Sequence, residues 1–309
     1  MNSNKEIVYK IEQLKKKKNA IILAHFYQIP EVQDIADYIG DSLGLARIAA
    51  NTNADIILFA GVHFMAETAK ILNPTKKVII PDPEAGCSLA DSCTPEALQK
   101  LKNKHTDAIV VSYINCSSGV KALSDIICTS SNAKKIIDSV SRDRKIIFVP
   151  DRNLGAYLIR ETGREMILWD GSCIVHEVFT TERLLKFKSE HTDALLLAHP
   201  ECKSPVLALA DFVGSTNAML DYSVKSTAKK FIVATETGIL HQMRKASPDK
   251  EFIAAPADNE CGCSNCSFMK MNTLEKVLLC LETENFEIKM DEKLRKQAEA
   301  PLLRMLELS

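Results

Sequence analysis

The chain has 309 residues, 46% hydrophobic and 26% charged, an ordinary globular composition with room for two or three domains. Its 39 basic residues balance 40 acidic ones for a net charge of −1, so the bulk electrostatics give no argument for nucleic acid or an anionic membrane. No run approaches the ~18 apolar residues of a membrane span, and the N-terminal MNSNKEIVYKIEQ lacks the apolar core of an export signal. The expected compartment is the cytoplasm. In that reducing setting the ten cysteines should be free thiols or ligands, not disulfides.

The first element is a Lys-rich helix, whose basic run Lys15–Lys18 reads as its solvated end. It leads into NAIILAH (Asn19–His25), a continuous apolar run of the kind a buried parallel strand requires. YIGDSLGL (Tyr38–Leu45) opens from a short apolar stretch into small hydroxyl residues and a helix-like segment. DIILFAGVHFMAETA and KVIIPDPEAGCSLA give the third and fourth strand-to-helix signals. The order then repeats: the helix PEALQKLKNKHTDA precedes DAIVVSY (Asp107–Tyr113), ICTSSNA (Ile127–Ala133), KIIFVPDRNLGAYLI and MILWDGSCIVHE. A third round runs through TERLLKFKSEHTDA, DALLLAH (Asp193–His199), FVGSTNA (Phe212–Ala218), KFIVATETGILHQM and EFIAAPADNECGCSNC.

These series align at a fixed spacing. His25, Tyr113 and His199 are separated by 88 and then 86 residues, and so are Ser42, Ser130 and Thr216. The expected fold class is α/β: three repeated αβα units, each a small parallel four-stranded sheet, about a pseudo-threefold axis. The expected division is 1–103 with the N-terminal helix, 104–189, and 190–309 with the C-terminal helices.

Cys87 and Cys173 each follow the fourth strand of a unit, 86 residues apart. The third unit offers Cys261, Cys263 and Cys266 within DNECGCSNCSFMKMNTLEK (Asp258–Lys276). Open α/β sheets form sites at the carboxyl ends of their strands. Three such units about one axis would therefore bring three thiols to a point. A zinc knuckle wants four ligands, usually as two pairs, and the chain has no second Cys-x-x-Cys. Three thiolates suit a [4Fe–4S] cluster with one open iron, or zinc completed by His176. The plainer alternative is that Cys87 and Cys173 are small packing residues.

The first-strand ends carry His25 with Tyr27, Tyr113 with Asn115, and His199 with Glu201. Equivalent positions are thus filled by different polar groups, which makes them candidates for substrate contact and proton transfer. Ser42, Ser130 and Thr216 stand before helix starts, where a single hydroxyl caps but a set of three can hold an anion. Neither GxGxxG nor GxxxxGK[ST] occurs, so no dinucleotide or nucleoside triphosphate is indicated.

Taken together, AHFYQIPEVQDIADYIGDSLGLA, FAGVHFMAETAKIL, PDPEAGCSLAD, SYIN, CTSSNA, PDRNLG, GSCIVHE, HPEC, VGSTNAML, ATETGIL and the C-x-x-M-K of Cys266–Lys270 resemble the quinolinate synthase family over nearly the whole chain. The resemblance implies three αβα domains around a [4Fe–4S] cluster, one per chain, on Cys87, Cys173 and Cys266. It implies condensation of iminoaspartate with dihydroxyacetone phosphate to quinolinate, with loss of phosphate and water, in NAD biosynthesis. An aspartate oxidase or dehydrogenase would supply the iminoaspartate. The implied substrate-binding residues are His25, Ser42, Tyr113, Asn115, Ser130, His199, Pro200, Glu201 and Thr216, with Tyr27, His25, His199 and Glu201 catalytic. Phe26 stands where many members have Asn or Tyr, and the C-x-C-x-x-C spacing departs from the C-x-x-C-x-x-C of some, leaving Cys261 and Cys263 without a role. The rivals are an aconitase-like iron–sulfur hydro-lyase and a non-enzymatic metal or redox sensor. A chain that closes its own site needs no partner, so a monomer is the simplest expectation.

Overall fold

The computed structural model describes residues 2–258 and 264–309. Its strands form three parallel four-stranded sheets. The first contains β1 (Ala20–His25), β2 (Tyr38–Gly40), β3 (Ile56–Ala60) and β4 (Lys77–Ile79), in the order β2-β1-β3-β4. The second contains β5 (Ile109–Tyr113), β6 (Ile126–Cys128), β7 (Ile146–Val149) and β8 (Ile167–Leu168), ordered β6-β5-β7-β8. The third contains β9 (Leu195–Ala198), β10 (Phe212–Val213), β11 (Lys230–Ala234) and β12 (Glu251–Ala254), ordered β10-β9-β11-β12. The expected α/β fold of three αβα units is the observed one.

The repeat extends to register. Leu23 pairs with Phe59, Val111 with Phe148 and Leu197 with Val233, at corresponding places in the three sheets. It extends also to one side-chain device. Asp37, Asp125 and Asp211 each accept the backbone N–H of the first strand of their unit, at Ile22 (2.8 Å), Val110 (2.8 Å) and Leu196 (2.7 Å). Each of these aspartates precedes the short edge strand and pins it to the sheet. The central strands are covered on both faces by helices, so β3 (IILFA) and β7 (IIFV) are buried throughout. The helix Arg152–Thr162 shows how local sequence sets the limits of an element. Asp151 accepts the N–H of Leu154 at its start, and Gly163 ends it at φ +63°.

The two terminal helices follow the third unit in sequence but pack elsewhere. Leu274–Thr283 lies against the helix Asn2–Lys17, burying Leu274, Val277 and Leu281 beside Ile11 and Ile22. Glu292–Glu307 lies against Ser118–Ala122 and β6, with Ala298, Leu302 and Met305 buried. The end of the chain thus straps the first two units. Among the described residues, no helix is long and apolar enough to cross a membrane.

Candidate active site

The carboxyl ends of all three sheets open on one partly enclosed cavity, with about 720 Å³ of atom-free space, its mouth included. Cys87, Cys173 and Cys266 all line it. They are half-buried, whereas Cys93, Cys116, Cys128, Cys202 and Cys280 are buried in the packing. Cys87 and Cys173 stand at the starts of the short helical turns Ser88–Asp91 and Ile174–Glu177. Cys266 precedes the turn Met269–Met271. Burial pushes the Cys87 thiol up to about 12 and raises those of Cys173 and Cys266, against the backbone N–H groups that favour each thiolate. Three thiols this reluctant to ionise alone become good ligands once a cation compensates their charge. Cys261 and Cys263 lie outside the described residues.

A Cys173 sulfur, a His176 ring nitrogen and a Glu201 oxygen also lie within 4.8 Å of one another, a group able to hold a metal ion. The two nitrogens of His176 are placed differently, however. Nδ1 stands 2.8 Å from Glu201 Oε2, off the ideal hydrogen-bond line, and Nε2 is 2.9 Å from Thr235 Oγ1. Thr235 Oγ1 in turn lies 2.7 Å from the Tyr27 hydroxyl. A continuous path therefore runs from Glu201 through His176 and Thr235 to Tyr27. His176, Thr235 and Glu201 are almost wholly buried.

Glu201 also accepts a 2.5 Å hydrogen bond from the Tyr113 hydroxyl. Burial alone would raise its carboxyl, but the neighbouring His176 and this hydrogen bond outweigh burial and keep Glu201 ionised. Tyr27 and Tyr113 are held well above the ordinary phenol value, first by burial and then by the Glu201 charge, so both rest as proton donors.

His25 and His199 repeat one local geometry. Nδ1 of His25 accepts the N–H of Tyr27 (3.2 Å), and Nδ1 of His199 accepts that of Glu201 (3.3 Å). Burial, helped in His25 by His199, holds each imidazole down at about 3 and thus neutral. With Nδ1 an acceptor, the single proton belongs on Nε2, a tautomer assigned from this network. His199 Nε2 lies 3.2 Å from Ser130 Oγ. Each imidazole is therefore a neutral donor, suited to polarise a carbonyl oxygen without the cost of a buried cation.

Ser42, Ser130 and Thr216 line the same cavity. The caps of the helices Ser42–Asn51 and Thr216–Lys225 are made by the preceding residues. Asp41 accepts Gly44 N (2.9 Å) and Ser215 accepts Ala218 N (3.2 Å). Ser42 and Thr216 are thus released from capping. Asn115 lines the cavity with a buried Oδ1 that lacks a hydrogen-bond partner. Pro200, between His199 and Glu201 in sequence, is buried and does not stand among the described lining residues. No lysine or arginine stands among the described lining residues. At the rim, Ser131 of the second unit donates to Asp41 of the first and lies 2.8 Å from Ser215 of the third, joining the units where the cavity meets an outer groove.

Fold and site define a triplicated α/β protein with one thiol-lined interior site built from all three units. A family model described as "NadA: Quinolinate synthetase A protein" matches residues 9–307. The chain is 58% identical over 299 residues to the quinolinate synthase of Microcystis aeruginosa, covering 97% of this chain and 94% of that one. It is 58% identical over 308 residues to that of Chloroherpeton thalassium, covering 99% and 96%. With that of Synechocystis the identity is 56% over 305 residues, covering 99% and 96%. The chain belongs to the quinolinate synthetase A protein family.

Proposed function

We propose that this protein is a quinolinate synthase of NAD biosynthesis, condensing iminoaspartate with dihydroxyacetone phosphate and releasing phosphate and water. The observation that carries this reading is the meeting of one thiol from each unit with the Tyr27–Thr235–His176–Glu201 path in a single cavity. Cys87, Cys173 and Cys266 hold a [4Fe–4S] cluster. Their number, one from each unit, fits it, and His176 serves the path to Tyr27 through its Nε2 contact with Thr235. When bound, such a cluster supplies one open iron as a Lewis acid for a substrate hydroxyl or carboxylate. The proposed units are 1–103, 104–189 and 190–309, working in the cytoplasm.

The chain's own residues handle anions and protons. Ser42, Ser130, Thr216 and the helix amides near them bind the phosphate and carboxylates, since the described lining offers no basic side chain for the purpose. Asn115 presents its free Oδ1 to a substrate N–H or O–H. His25 and His199 donate Nε2–H to carbonyl oxygen and ease enolisation of the triose. Tyr27 is the group that exchanges protons with substrate. Its proton passes to Thr235 as the proton of Thr235 passes to His176 Nε2, and ionised Glu201 stabilises the imidazolium formed. The buried walls keep water from the hydrolysable imine.

The test is iron and acid-labile sulfide content, with EPR and a quinolinate assay, on protein purified without oxygen. About four iron and four sulfide per chain, with quinolinate formed, is the expected result. Stoichiometric zinc without sulfide in intact protein would sink the cluster and the reaction with it. Cys266→Ser should abolish the cluster and Cys261→Ser retain it; the reverse pattern overturns the ligand assignment.

A further inference from the structure

The motif that singles out Cys266 ends in Met269 and Lys270, and the chemistry above uses neither. Both reach across to the first unit. Met269 Sδ accepts a hydrogen bond from Gln28 Nε2 (3.3 Å), and Lys270 Nζ donates to the Tyr27 carbonyl (2.8 Å). The same ammonium lies 2.8 Å from Glu236 Oε1. Glu236, fully buried just beyond β11, also accepts the N–H of Cys266 at Oε1 (3.1 Å) and that of Gly238 at Oε2 (2.7 Å). One carboxylate thus holds the backbone of a thiol and the ammonium that fastens Tyr27. It is also the next residue after Thr235, the hydroxyl partner of Tyr27. A buried ion pair is a weak source of stability, because desolvating both charges offsets most of their attraction. What it provides is a fixed geometry.

We infer that Glu236 and Lys270 are positioning residues that clip the Cys266 turn of the third unit to Tyr27 of the first. The thiol and the proton-exchanging phenol then keep one relation to each other. The inference rests on the roles proposed above for Cys266 and Tyr27, but one arm of its test needs neither.

That arm compares the full-length, metal-free parent with Lys270→Met and Lys270→Arg. Iodoacetamide labelling, read peptide by peptide, should be several-fold faster at Cys266 in the Met variant and unchanged at Cys87. The Arg variant, still able to bridge the two oxygens, should return to the parent rate. Glu236→Gln, isosteric but uncharged, gives the same readout if the Met variant fails to fold. In anaerobically reconstituted protein, Lys270→Met should retain iron and sulfide yet turn over about 10–100-fold more slowly, with KM little changed. An unchanged labelling rate at Cys266 overturns the inference whatever happens to turnover. Faster labelling in a protein that takes up no iron supports the clip and removes the cluster.

Discussion

Thr235 stands between a phenol and an imidazole, and its hydroxyl joins them. Thr235→Val keeps the shape and breaks the path, so kcat should fall by about 10²–10⁴-fold with iron content intact, and Thr235→Ser should recover most of it. Steady-state kinetics beside iron analysis checks this. The sequence announced His25, Tyr113 and His199 because polar groups recur there at the repeat spacing. It gave no such notice of Thr235, whose counterparts at the ends of β3 and β7 are Gly61 and Pro150, or of the relay role of His176, whose counterpart is Ala90. A residue used once by a repeated fold leaves no periodic trace. His25 carries a second prediction. Burial holds it down at about 3, against 6.5 for the free side chain. Between those values the unfolded chain binds more protons than the folded one, so stability is lost as pH falls from 6.5 toward 3. Removing the imidazole in His25→Gln should lessen that loss by up to about 2 kcal/mol at pH 5, read by urea unfolding of metal-free protein at pH 7 and pH 5.

The turn after β11 and the turn after β1 are packed backbone against backbone. Gln33 Nε2 donates to the carbonyls of Phe26, Gln28 and Gly238, each at 2.9 Å, and so binds both turns from one amide. A Cβ on Gly238 would lie 2.7 Å from Phe26 O and 2.8 Å from Gln28 O. Gly238→Ala must therefore push the turns apart, with an expected loss of about 1–3 kcal/mol in urea unfolding and a fall in kcat from displaced Tyr27. The elements themselves were legible, since β1, β5 and β9 are short, largely apolar runs of the kind a doubly covered strand requires. The edge strands were less so. β8 and β10 hold two residues each, and the aspartates that pin β2, β6 and β10 act across a gap in sequence that no local pattern records. The docking of Leu274–Thr283 and Glu292–Glu307 was also hidden, because an amphipathic helix shows that it has a partner and not which one.

Across the whole molecule, each unit places a thiol among the described lining residues of the cavity, so a metal centre bound by Cys87, Cys173 and Cys266 together would stabilise the assembly of the units as well as their separate folds. Stripping the iron should lower Tm by several degrees and make the rim around Asp41, Ser131 and Ser215 exchange its amide hydrogens faster. Calorimetry and hydrogen exchange on loaded and stripped protein, both kept without oxygen, would show it. An unchanged Tm and exchange pattern would mean that the units hold together without help from the centre. Cys87, Cys173 and Cys266 are chemically alike, and three like thiols give a bound molecule little by which to tell one of its ends from the other. The strand ends break the tie. Beside the thiols stand a histidine with a tyrosine, a tyrosine with an asparagine, and a histidine with a carboxylate. Of these strand-end residues only Glu201 is held ionised, so the three sectors differ in charge as well as in shape. Any preference of the cavity for one orientation of an unsymmetrical molecule must come from the side chains by which the three units differ, not from the thiols they have in common.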